Sequence, residues 1–323
     1  MSLISRKISV IIPTMEKDAD MLESAIQSVA WADEILVVDS SFSSKVKEIA
    51  QKWGAKYLAH KYIYSAKQKN WAIPQARNDW ILLLDSDEVV TEKLKSTLQK
   101  LLASEELDSF DGYGIARKHF FFGKFLRWGG RYPLHNIRFF KKSCRYEDRD
   151  VHAHIVLDKS KVKNIPPEDG DILHFSDRDF GQFFERFERY SDYQANYMIK
   201  ILDKGIEMDW KKFFTNFYYF KAIIKDIWFF IPFSPLLRFL WMYVFRLGFL
   251  DGRYGFMIAM LYGFQDYISK SKFKAINQKE SKVRIKAGDY FMKKITPVFL
   301  GESLSRNYLK NYRKCFLGNK SGI

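Results

Sequence analysis

The sequence has 323 residues, of which 47% are hydrophobic and 28% charged, and this balance excludes a wholly disordered chain. Its two cysteines, Cys144 and Cys315, lie in unrelated contexts, which excludes a disulfide framework and fits a reducing compartment. Most of the net charge of +15 lies at the end, since residues 270–323 hold fourteen Lys or Arg against three acids. This basic tail follows an aromatic-rich segment, which favours an anionic membrane surface over nucleic acid as its partner.

Short apolar strands alternate with amphipathic helices over the first hundred residues. Strands are predicted at residues 7–14, 34–39, 56–60 and 79–85, and helices at residues 18–30, 43–53, 65–73 and 91–103. The strands are nearly continuous apolar runs, as is typical of strands that are buried on both faces of a parallel sheet. The alternation predicts an α/β fold, in which a Rossmann-like, mostly parallel sheet is flanked by helices.

The alternation stops near residue 112. Residues 112–175 predict strands and loops of mixed direction, residues 179–204 a long helix, and residues 210–268 further helices dense in aromatic side chains. The charge-free runs of this last segment are shorter than the roughly 18–20 residues that a membrane-spanning helix needs. We therefore expect helices that lie in the membrane interface, with an ordinary helical subdomain as the alternative.

Polar residues follow three of the four predicted strands. These residues are Pro13-Thr14, Asp39-Ser40 and Asp85-Ser86-Asp87. Ligands of open α/β sheets bind beyond the carboxyl ends of the strands. The three strand ends together therefore predict a nucleotide site.

Asp85 and Asp87 stand one residue apart behind an apolar strand. On an extended segment such side chains point the same way, so both carboxylates could approach one cation. Mn²⁺ or Mg²⁺ prefers oxygen ligands and would neutralise charge on a leaving diphosphate. An acid pair in a solvated turn is the alternative interpretation of this motif.

Two further residues are candidates for nucleotide binding. Asp39 is a candidate acceptor for a base N–H, with a helix cap or turn acid as the alternative. Lys69 is placed to reach a diphosphate as a point charge, whereas Lys67 is more simply part of a solvated helix face.

Several segments together resemble the family 2 glycosyltransferases, which have the GT-A fold. The segments, in order, are SVIIPT, EILVVDS, QKNWAI, DWILLLDSDE, NIRFFKK, DVHAHIVLD, ILHF and GFLDGRYGF. The resemblance is strongest to the branch of lipopolysaccharide-core glucosyltransferases and exopolysaccharide enzymes. It touches most of residues 7–256 and leaves the basic tail uncovered. It implies inverting transfer of a sugar from a nucleotide sugar, usually a UDP-sugar, to a lipid-linked or polysaccharide acceptor.

The resemblance also implies roles for individual residues. By this match, the donor nucleotide sugar is contacted by Pro13, Thr14, Asp39, Lys69, Asp85, Ser86 and Asp87. The metal ion, Mn²⁺ or Mg²⁺, is held by Asp85 and above all by Asp87. His174 is a candidate third metal ligand or a hydrogen-bond donor to the diphosphate, with a hydrogen-bonded structural histidine as the alternative.

The sequence departs from the family pattern where a general base is expected. The glutamate that often follows Val-His in this branch is Ala153 here. An inverting reaction needs a group that takes the proton of the acceptor hydroxyl. Asp150 is the first candidate and Asp148 the second, with loop charges paired to neighbouring arginines as the alternative. His152 is the third candidate.

Two more residues are predicted on the acceptor side. Trp128, followed by two glycines, is a candidate platform for a sugar ring, with core packing as the alternative. Arg138 is a candidate to bind phosphate or to fix the acceptor loop.

The predicted organisation has three parts. Residues 1–205 form the GT-A catalytic domain, whose nucleotide-sugar-binding half is 1–111 and whose acceptor-side half is 112–205. Residues 206–269 form an amphipathic membrane-associating region and 270–323 the basic tail. No signal peptide is evident, so we expect a cytoplasmic protein that binds the inner face of the cell membrane.

Two other functions remain as alternatives. A sugar nucleotidyltransferase also binds nucleotides and metal on an α/β sheet, but no glycine-rich phosphate loop follows the first strand. A degenerate family member could serve as a membrane-bound scaffold, for which Ala153 is the argument. Asp85 and Asp87 argue against the scaffold.

Overall fold

The computed structural model describes residues 6–149, 153–206 and 208–280. Asp150, His152 and the greater part of the basic tail, residues 281–323, therefore lie outside the described residues. The chain divides into two compact units. Of the described residues, the first unit contains those up to Phe183 together with Phe245–Phe256, and the second contains those of Phe184–Val244 and those from Met257 onward.

The first unit is built on one mixed sheet. Its strands are β1 (Ile8–Thr14), β2 (Glu34–Asp39), β3 (Lys56–Ala59), β4 (Trp80–Leu83), β5 (Glu88–Val90), β6 (Gly112–Phe121), β7 (Lys124–Phe125), β8 (His135–Lys141), β11 (Val162–Asn164) and β12 (Ile172–Asp177). Two short strands that lie between β8 and β11 in the chain, β9 (Arg145–Tyr146) and β10 (Ile155–Val156), form a separate pair. The sheet order is β3-β2-β1-β4-β8-β6-β12-β5, with β7 and β11 also paired to β6. Strands β1 to β4 are parallel, whereas β8 runs antiparallel to both of its neighbours.

Four helices follow the first strands of this unit. They are α1 (Ala19–Ser28), α2 (Ser44–Lys52), α3 (Ser65–Ala72) and α4 (Glu92–Leu102). The predicted strands and helices of the first hundred residues are thus confirmed to within a few residues. Strand β5 is not predicted, because it has only three residues and pairs with β12, which lies far along the chain.

The sheet is buried on both faces, and strand β1 shows how its residues alternate. Val10 and Ile12 pack into one hydrophobic cluster with helix α1, whereas Ile11 packs into the cluster on the other face. Strand β4 divides in the same way, with Leu82 in the first cluster and Leu83 in the second. Because successive side chains point to opposite faces, a continuous apolar run is what a sheet covered on both sides requires.

The second unit is helical. Its helices are α6 (Trp210–Thr215), α7 (Phe217–Trp228) and α8 (Ser234–Leu240), together with most of α5 (Phe180–Lys204) and α9 (Gly252–Glu280). Met198, Phe229 and Phe273 are buried in one of its apolar clusters. Across the part of the chain that the structure describes, every helix falls short of the length or apolarity that a bilayer-spanning segment requires.

The start of helix α4 is tied to the start of strand β12. The Thr91 hydroxyl accepts a hydrogen bond from the Leu94 N–H at 3.3 Å and donates one to the Asp171 carbonyl at 2.9 Å. Gly170 has φ +117°, a region that favours glycine, and a Cβ there would lie 2.2 Å from the Leu94 nitrogen. This close approach lies two residues before β12, the strand that carries His174.

Gly170→Ala should lower the free energy of unfolding by about 3 kcal/mol, because backbone strain adds to overlap with backbone atoms of Leu94. Gly54→Ala is the matched control, since Gly54 has φ +67° but a Cβ there would meet no atom within 4 Å. Its expected cost is about 1 kcal/mol. Urea denaturation compares the two variants, and equal losses would contradict the tight contact at Gly170.

Candidate active site

The carboxyl ends of β1 and β2 lie side by side. Thr14 is the register partner of Asp39. The Thr14 carbonyl accepts hydrogen bonds from the Ser40 N–H and from the Ser40 hydroxyl, each at 3.1 Å. Pro13 is partly exposed and Thr14 is buried at this edge. Because β4 pairs with the other side of β1, the three predicted strand ends meet at one edge of the sheet.

The carboxylate of Asp39 is fully engaged by the protein. Its Oδ1 accepts from the N–H and the hydroxyl of Ser41 at 2.8 and 2.5 Å, and its Oδ2 accepts from the Ser43 N–H and the Tyr57 hydroxyl at 2.7 and 3.0 Å. A carboxylate has about four acceptor positions, so all are filled. Asp39 therefore holds the turn that opens α2, and contact with a base N–H, which stays a prediction, requires one of these donors to leave.

Residues 85–88 form a tight turn instead of continuing strand β4. The Asp85 N–H donates to the Glu88 carboxylate at 2.9 Å, and the Glu88 N–H donates to the Asp85 carbonyl at 3.0 Å. Ser86 lies buried within the turn. The turn differs from the extended arrangement expected from the sequence, so Asp85 and Asp87 face different partners.

Asp85 belongs to a cluster of charged side chains between β4, β6 and β8. Arg138 Nη2 lies 2.5 Å from Asp85 Oδ2 and 2.8 Å from Glu88 Oε1. Arg117 Nη1 lies 3.1 Å from the same Glu88 oxygen. The side chain of Glu88 is fully buried, and that of Arg138 is 6% exposed. We call these four residues, with Lys69, the ion cluster.

The ion cluster contains residues that sequence reasoning placed elsewhere or missed. Arg138, the candidate to bind phosphate or to fix the acceptor loop, lies against the 85–88 turn because β8 is inserted between β4 and β6. Glu88 was not singled out, although its position directly after Asp87 was a signal. Arg117 has no signal in the sequence, since its role depends on strand pairing.

Charges within the ion cluster decide the ionisation of Asp85. Burial alone would raise the pKa of Asp85, but the Arg138 guanidinium and the Lys69 ammonium outweigh it and hold this pKa well below its usual value. Lys69 Nζ lies 3.9 Å from Asp85 Oδ1. Burial lowers the pKa of Lys69, and the charge of Asp85 opposes that shift. Asp85 is therefore an anion that is neutralised mainly by cations of the protein.

Lys69 is held in place by the segment around Tyr146. The Asn70 amide donates to the Tyr146 carbonyl at 2.9 Å and accepts from its N–H at 2.8 Å, which joins α3 to β9. The Lys69 ammonium lies 5.2 Å from the centre of the Tyr146 ring. An ammonium over an aromatic face is stabilised by cation–π attraction, so Lys69 is oriented beside Asp85.

Asp87 faces a histidine from strand β12. Asp87 Oδ2 lies 3.5 Å from His174 Nε2, and the Phe175 N–H donates to the Asp87 carbonyl at 2.9 Å. The Asp87 side chain is 25% exposed. Among the described residues, no group of three or more His, Cys, Asp or Glu side chains is arranged to hold a metal ion. Asp87 and His174 are two adjacent donors that fit Mn²⁺ or Mg²⁺ when diphosphate and water complete the shell.

Of the three predicted general bases, only Asp148 lies within the described residues. Its carboxylate is exposed and accepts a hydrogen bond from the Tyr64 hydroxyl. It follows two residues after Tyr146, whose ring borders the ion cluster. Asp148 is therefore close in sequence to a residue that contacts the ion cluster. Because Asp150 and His152 lie outside the described residues, the choice among the three stays a prediction.

The Trp128 loop is held by the segment that follows residue 245. The Trp128 N–H donates to the Asp251 carboxylate at 2.8 Å, and the Gly129 N–H donates to the Arg246 carbonyl at 2.8 Å. The Arg127 guanidinium lies 5.7 Å from the centre of the indole. The indole is partly exposed, so a role as a sugar platform stays a prediction.

The mixed sheet, its flanking helices and the acidic turn at the strand ends agree with the GT-A fold that the sequence predicts. Residues 9–158 match the model of glycosyl transferase family 2. The chain is similar to this family over slightly less than half of its length, and the fold and the type of enzyme that the sequence predicts, a glycosyltransferase, are confirmed.

Relatives of the chain also carry glycosyltransferase names. An uncharacterized glycosyltransferase of Rickettsia bellii is 37% identical over 35% of this chain and 38% of its own length. One from Rickettsia typhi is 25% identical over 86% of this chain and 90% of its own length. The lipopolysaccharide core biosynthesis glycosyltransferase LpsC of Rhizobium meliloti is 25% identical over 55% of this chain and 67% of its own length.

One solved structure with a partial likeness is glucosyl-3-phosphoglycerate synthase from Mycobacterium tuberculosis, in complex with Mn²⁺, UDP and glucosyl-3-phosphoglycerate. It is 20% identical to this chain, with a TM-score of 0.29, over 36% of this chain and 44% of its own. A likeness of this extent carries no weight for the metal, the donor or the acceptor.

Arg138→Met should lower the free energy of unfolding by about 3 kcal/mol, because it leaves the buried Glu88 carboxylate short of one cation. Arg149→Met is the matched control, since Arg149 forms an exposed pair with Glu147 at 3.3 Å and should cost at most about 0.5 kcal/mol. Urea denaturation measures both. A loss below about 1 kcal/mol for Arg138→Met would contradict a stabilising ion cluster.

Proposed function

We propose that the protein transfers a hexose from a nucleotide sugar, in the first instance a UDP-sugar, to a hydroxyl of a lipid-linked or polysaccharide acceptor, with inversion and with Mn²⁺ or Mg²⁺. The observation that carries this proposal is the contact between Asp87 and His174 at the strand ends of a family 2 domain. The two side chains offer an oxygen and a nitrogen at the edge where such sheets bind ligands.

The donor side of the proposed reaction divides between a metal pair and the ion cluster. Asp87 and His174 would hold the metal ion, which when bound neutralises charge on the diphosphate leaving group. Lys69 would add a positive charge on the other side of the turn, where it meets Asp85. The ion pairs of Arg138 with Asp85 and Glu88 would hold the turn that carries Asp87.

The acceptor side requires a group that removes a proton. In inverting transfer, the acceptor oxygen bonds to the anomeric carbon as the bond from that carbon to the diphosphate oxygen breaks, and the hydroxyl proton passes to the base. Asp150 is the first candidate for this base, Asp148 the second and His152 the third. The contact of Asp148 with Tyr64 supports a role for this loop in the site.

The acceptor is proposed to be a lipid-linked or bacterial surface glycan. The name of the Rhizobium relative, a lipopolysaccharide core biosynthesis enzyme, supports this class of acceptor. Nucleic acid is not proposed as a partner, because the basic tail follows an aromatic-rich segment, which favours an anionic membrane surface. Such acceptors are held in a membrane, so the enzyme would need to work at a membrane surface.

The second unit supports binding to an anionic membrane on the cytoplasmic face. Three aromatic side chains of α6 and α7 are strongly exposed: Trp210 at 46%, Phe214 at 78% and Phe217 at 62%. Four lysines accompany them, Lys211, Lys212, Lys221 and Lys225. Aromatic rings that enter the lipid interface beside lysines that meet anionic headgroups are typical of interfacial helices.

Asp87→Asn should lower turnover by about 100- to 1000-fold while the fold is retained, because the proposed metal loses its carboxylate ligand. The assay is Mn²⁺-dependent release of nucleoside diphosphate from a panel of nucleotide sugars. Asp79→Asn is the matched control, since Asp79 is exposed at the other end of β4. Undiminished turnover in Asp87→Asn would refute the metal assignment, and absence of Mn²⁺-dependent UDP binding by the wild type would favour a scaffold.

Phe214→Ser/Phe217→Ser should weaken binding to phosphatidylglycerol vesicles by at least about tenfold, since each ring would contribute about 1 kcal/mol or more of burial in the interface. Co-sedimentation measures the binding. Ile63→Ser is the control, because Ile63 is as exposed, at 60%, on the first unit. Equal binding by the double variant and the wild type would contradict a role of α6 and α7 in membrane binding.

A further inference from the structure

Four side chains lie in a row that begins at the proposed metal pair and runs into the sheet. His174 Nε2 lies 3.5 Å from Asp87 Oδ2, and His174 Nδ1 lies 3.3 Å from His119 Nδ1. His119 Nε2 is hydrogen-bonded to the Asp177 carboxylate. The side chains of His174, His119 and Asp177 are 15%, 12% and 6% exposed. The proposed function uses the first pair and leaves His119 and Asp177 without a role.

An irregularity in strand pairing produces this row. His119 and His174 are direct register partners of β6 and β12, which are parallel. Two residues further along β6, Phe121 pairs with Asp177, so β12 has one residue more than β6 over this stretch. In a regular strand, residues 174 and 177 point to opposite faces. The extra residue shifts the alternation of side chains along β12 by one. The Asp177 carboxylate therefore lies on the same face as His174, where it contacts His119.

When His119 is neutral, the hydrogen bonds of the row specify which ring nitrogens carry protons. The carboxylate of Asp177 accepts, so His119 Nε2 must be an N–H. In neutral His119 the other nitrogen, Nδ1, is then an acceptor. Since that nitrogen faces His174 Nδ1, the bond between the rings requires His174 to carry its proton on Nδ1. His174 Nε2, which faces Asp87, is left with a lone pair.

We propose that Asp177 and His119 are positioning residues that set the tautomer and the ring orientation of His174, so that its Nε2 is a metal donor beside Asp87. This inference rests on the proposed function, in which His174 holds the metal ion. Metal-binding histidines generally give their second N–H to an acceptor, and that acceptor fixes the ring and makes the donor nitrogen more basic. Here the acceptor is another histidine, whose own tautomer is set by a buried carboxylate.

A cationic His119 would give the opposite arrangement of protons on the two histidines. If His119 were a cation stabilised by Asp177, its Nδ1–H would donate to His174, which would then carry its proton on Nε2. His174 would donate to Asp87 and have no lone pair for a metal ion on that side. The position of one proton on His174 therefore separates the two arrangements.

The first test is nitrogen-15 NMR of the full chain with labelled histidine and no metal. The chain has six histidines, and His174→Gln assigns the signal of interest. We expect His174 to be the Nδ1–H tautomer, which free histidine in water disfavours, and His119→Phe or Asp177→Ala to release it toward Nε2–H. A wild-type His174 with its proton on Nε2, or the same tautomer in both variants, would overturn the proposal. The wild-type result stands even if a variant fails to fold.

The second test is calorimetric titration with Mn²⁺ in the presence of UDP. His119→Phe and Asp177→Ala should weaken Mn²⁺ binding by about 10- to 100-fold, whereas Asp171→Ala should change it by no more than about twofold. Asp171 is the matched control because it is also buried next to β12, but it pairs with Lys118 at 2.9 Å and not with His119.

The two tests separate failure of this inference from failure of the proposed function. If His174 of the wild type is the Nδ1–H tautomer but the protein does not bind Mn²⁺, the metal role of His174 is refuted. The control of its tautomer by His119 and Asp177 then still stands. If His119→Phe leaves Mn²⁺ binding unchanged, the positioning role of His119 is refuted and the metal role of His174 still stands. Equal weakening by Asp171→Ala would show a loss of general stability and overturn the positioning role.

Discussion

The structure depends on a buried guanidinium that joins two strands at the edge of the nucleotide side. Arg138 reaches from β8 to Asp85 and to Glu88, and the Glu88 side chain has no exposed surface. Charges removed from water need close partners, because each carries a desolvation cost of several kcal/mol. Pairing Arg138 with both acids holds the 85–88 turn against the sheet. The position of Asp87, and hence the proposed metal site, follows from that turn.

The same turn gives two chemically identical residues different tasks. Asp85 is held as an anion by Arg138 and Lys69, so its charge is balanced mainly within the protein. Asp87, two residues on, is turned toward His174. Strand β12 brings His174 to this place, and Gly170, two residues before the strand, lies in close contact with Leu94. Specialisation of the two aspartates is thus a consequence of their surroundings and not of residue type.

Local patterns predicted the parallel half of the fold, because its strands and helices each carry their own periodicity. Strands β1 to β4 and helices α1 to α4 fall close to the predicted ranges. Local patterns of sequence do not predict three features of the sheet. These are strand β5, the insertion of β8 between β4 and β6, and the extra residue of β12 before Asp177. Each depends on pairing between segments that are far apart in the chain, which no window of sequence contains.

The amino-acid pattern was enough to predict the parallel strands and the polar residues that follow them, among them Asp85 and Asp87, since an apolar run and the residue after it are both local features. The partners of Arg138, His119 and Asp177 depend on tertiary structure, because a hydrogen bond or ion pair exists only when strand pairing brings its two groups together. Tertiary structure also showed that the acceptor positions of Asp39 are filled by the turn that opens α2, a limit that residue type could not reveal.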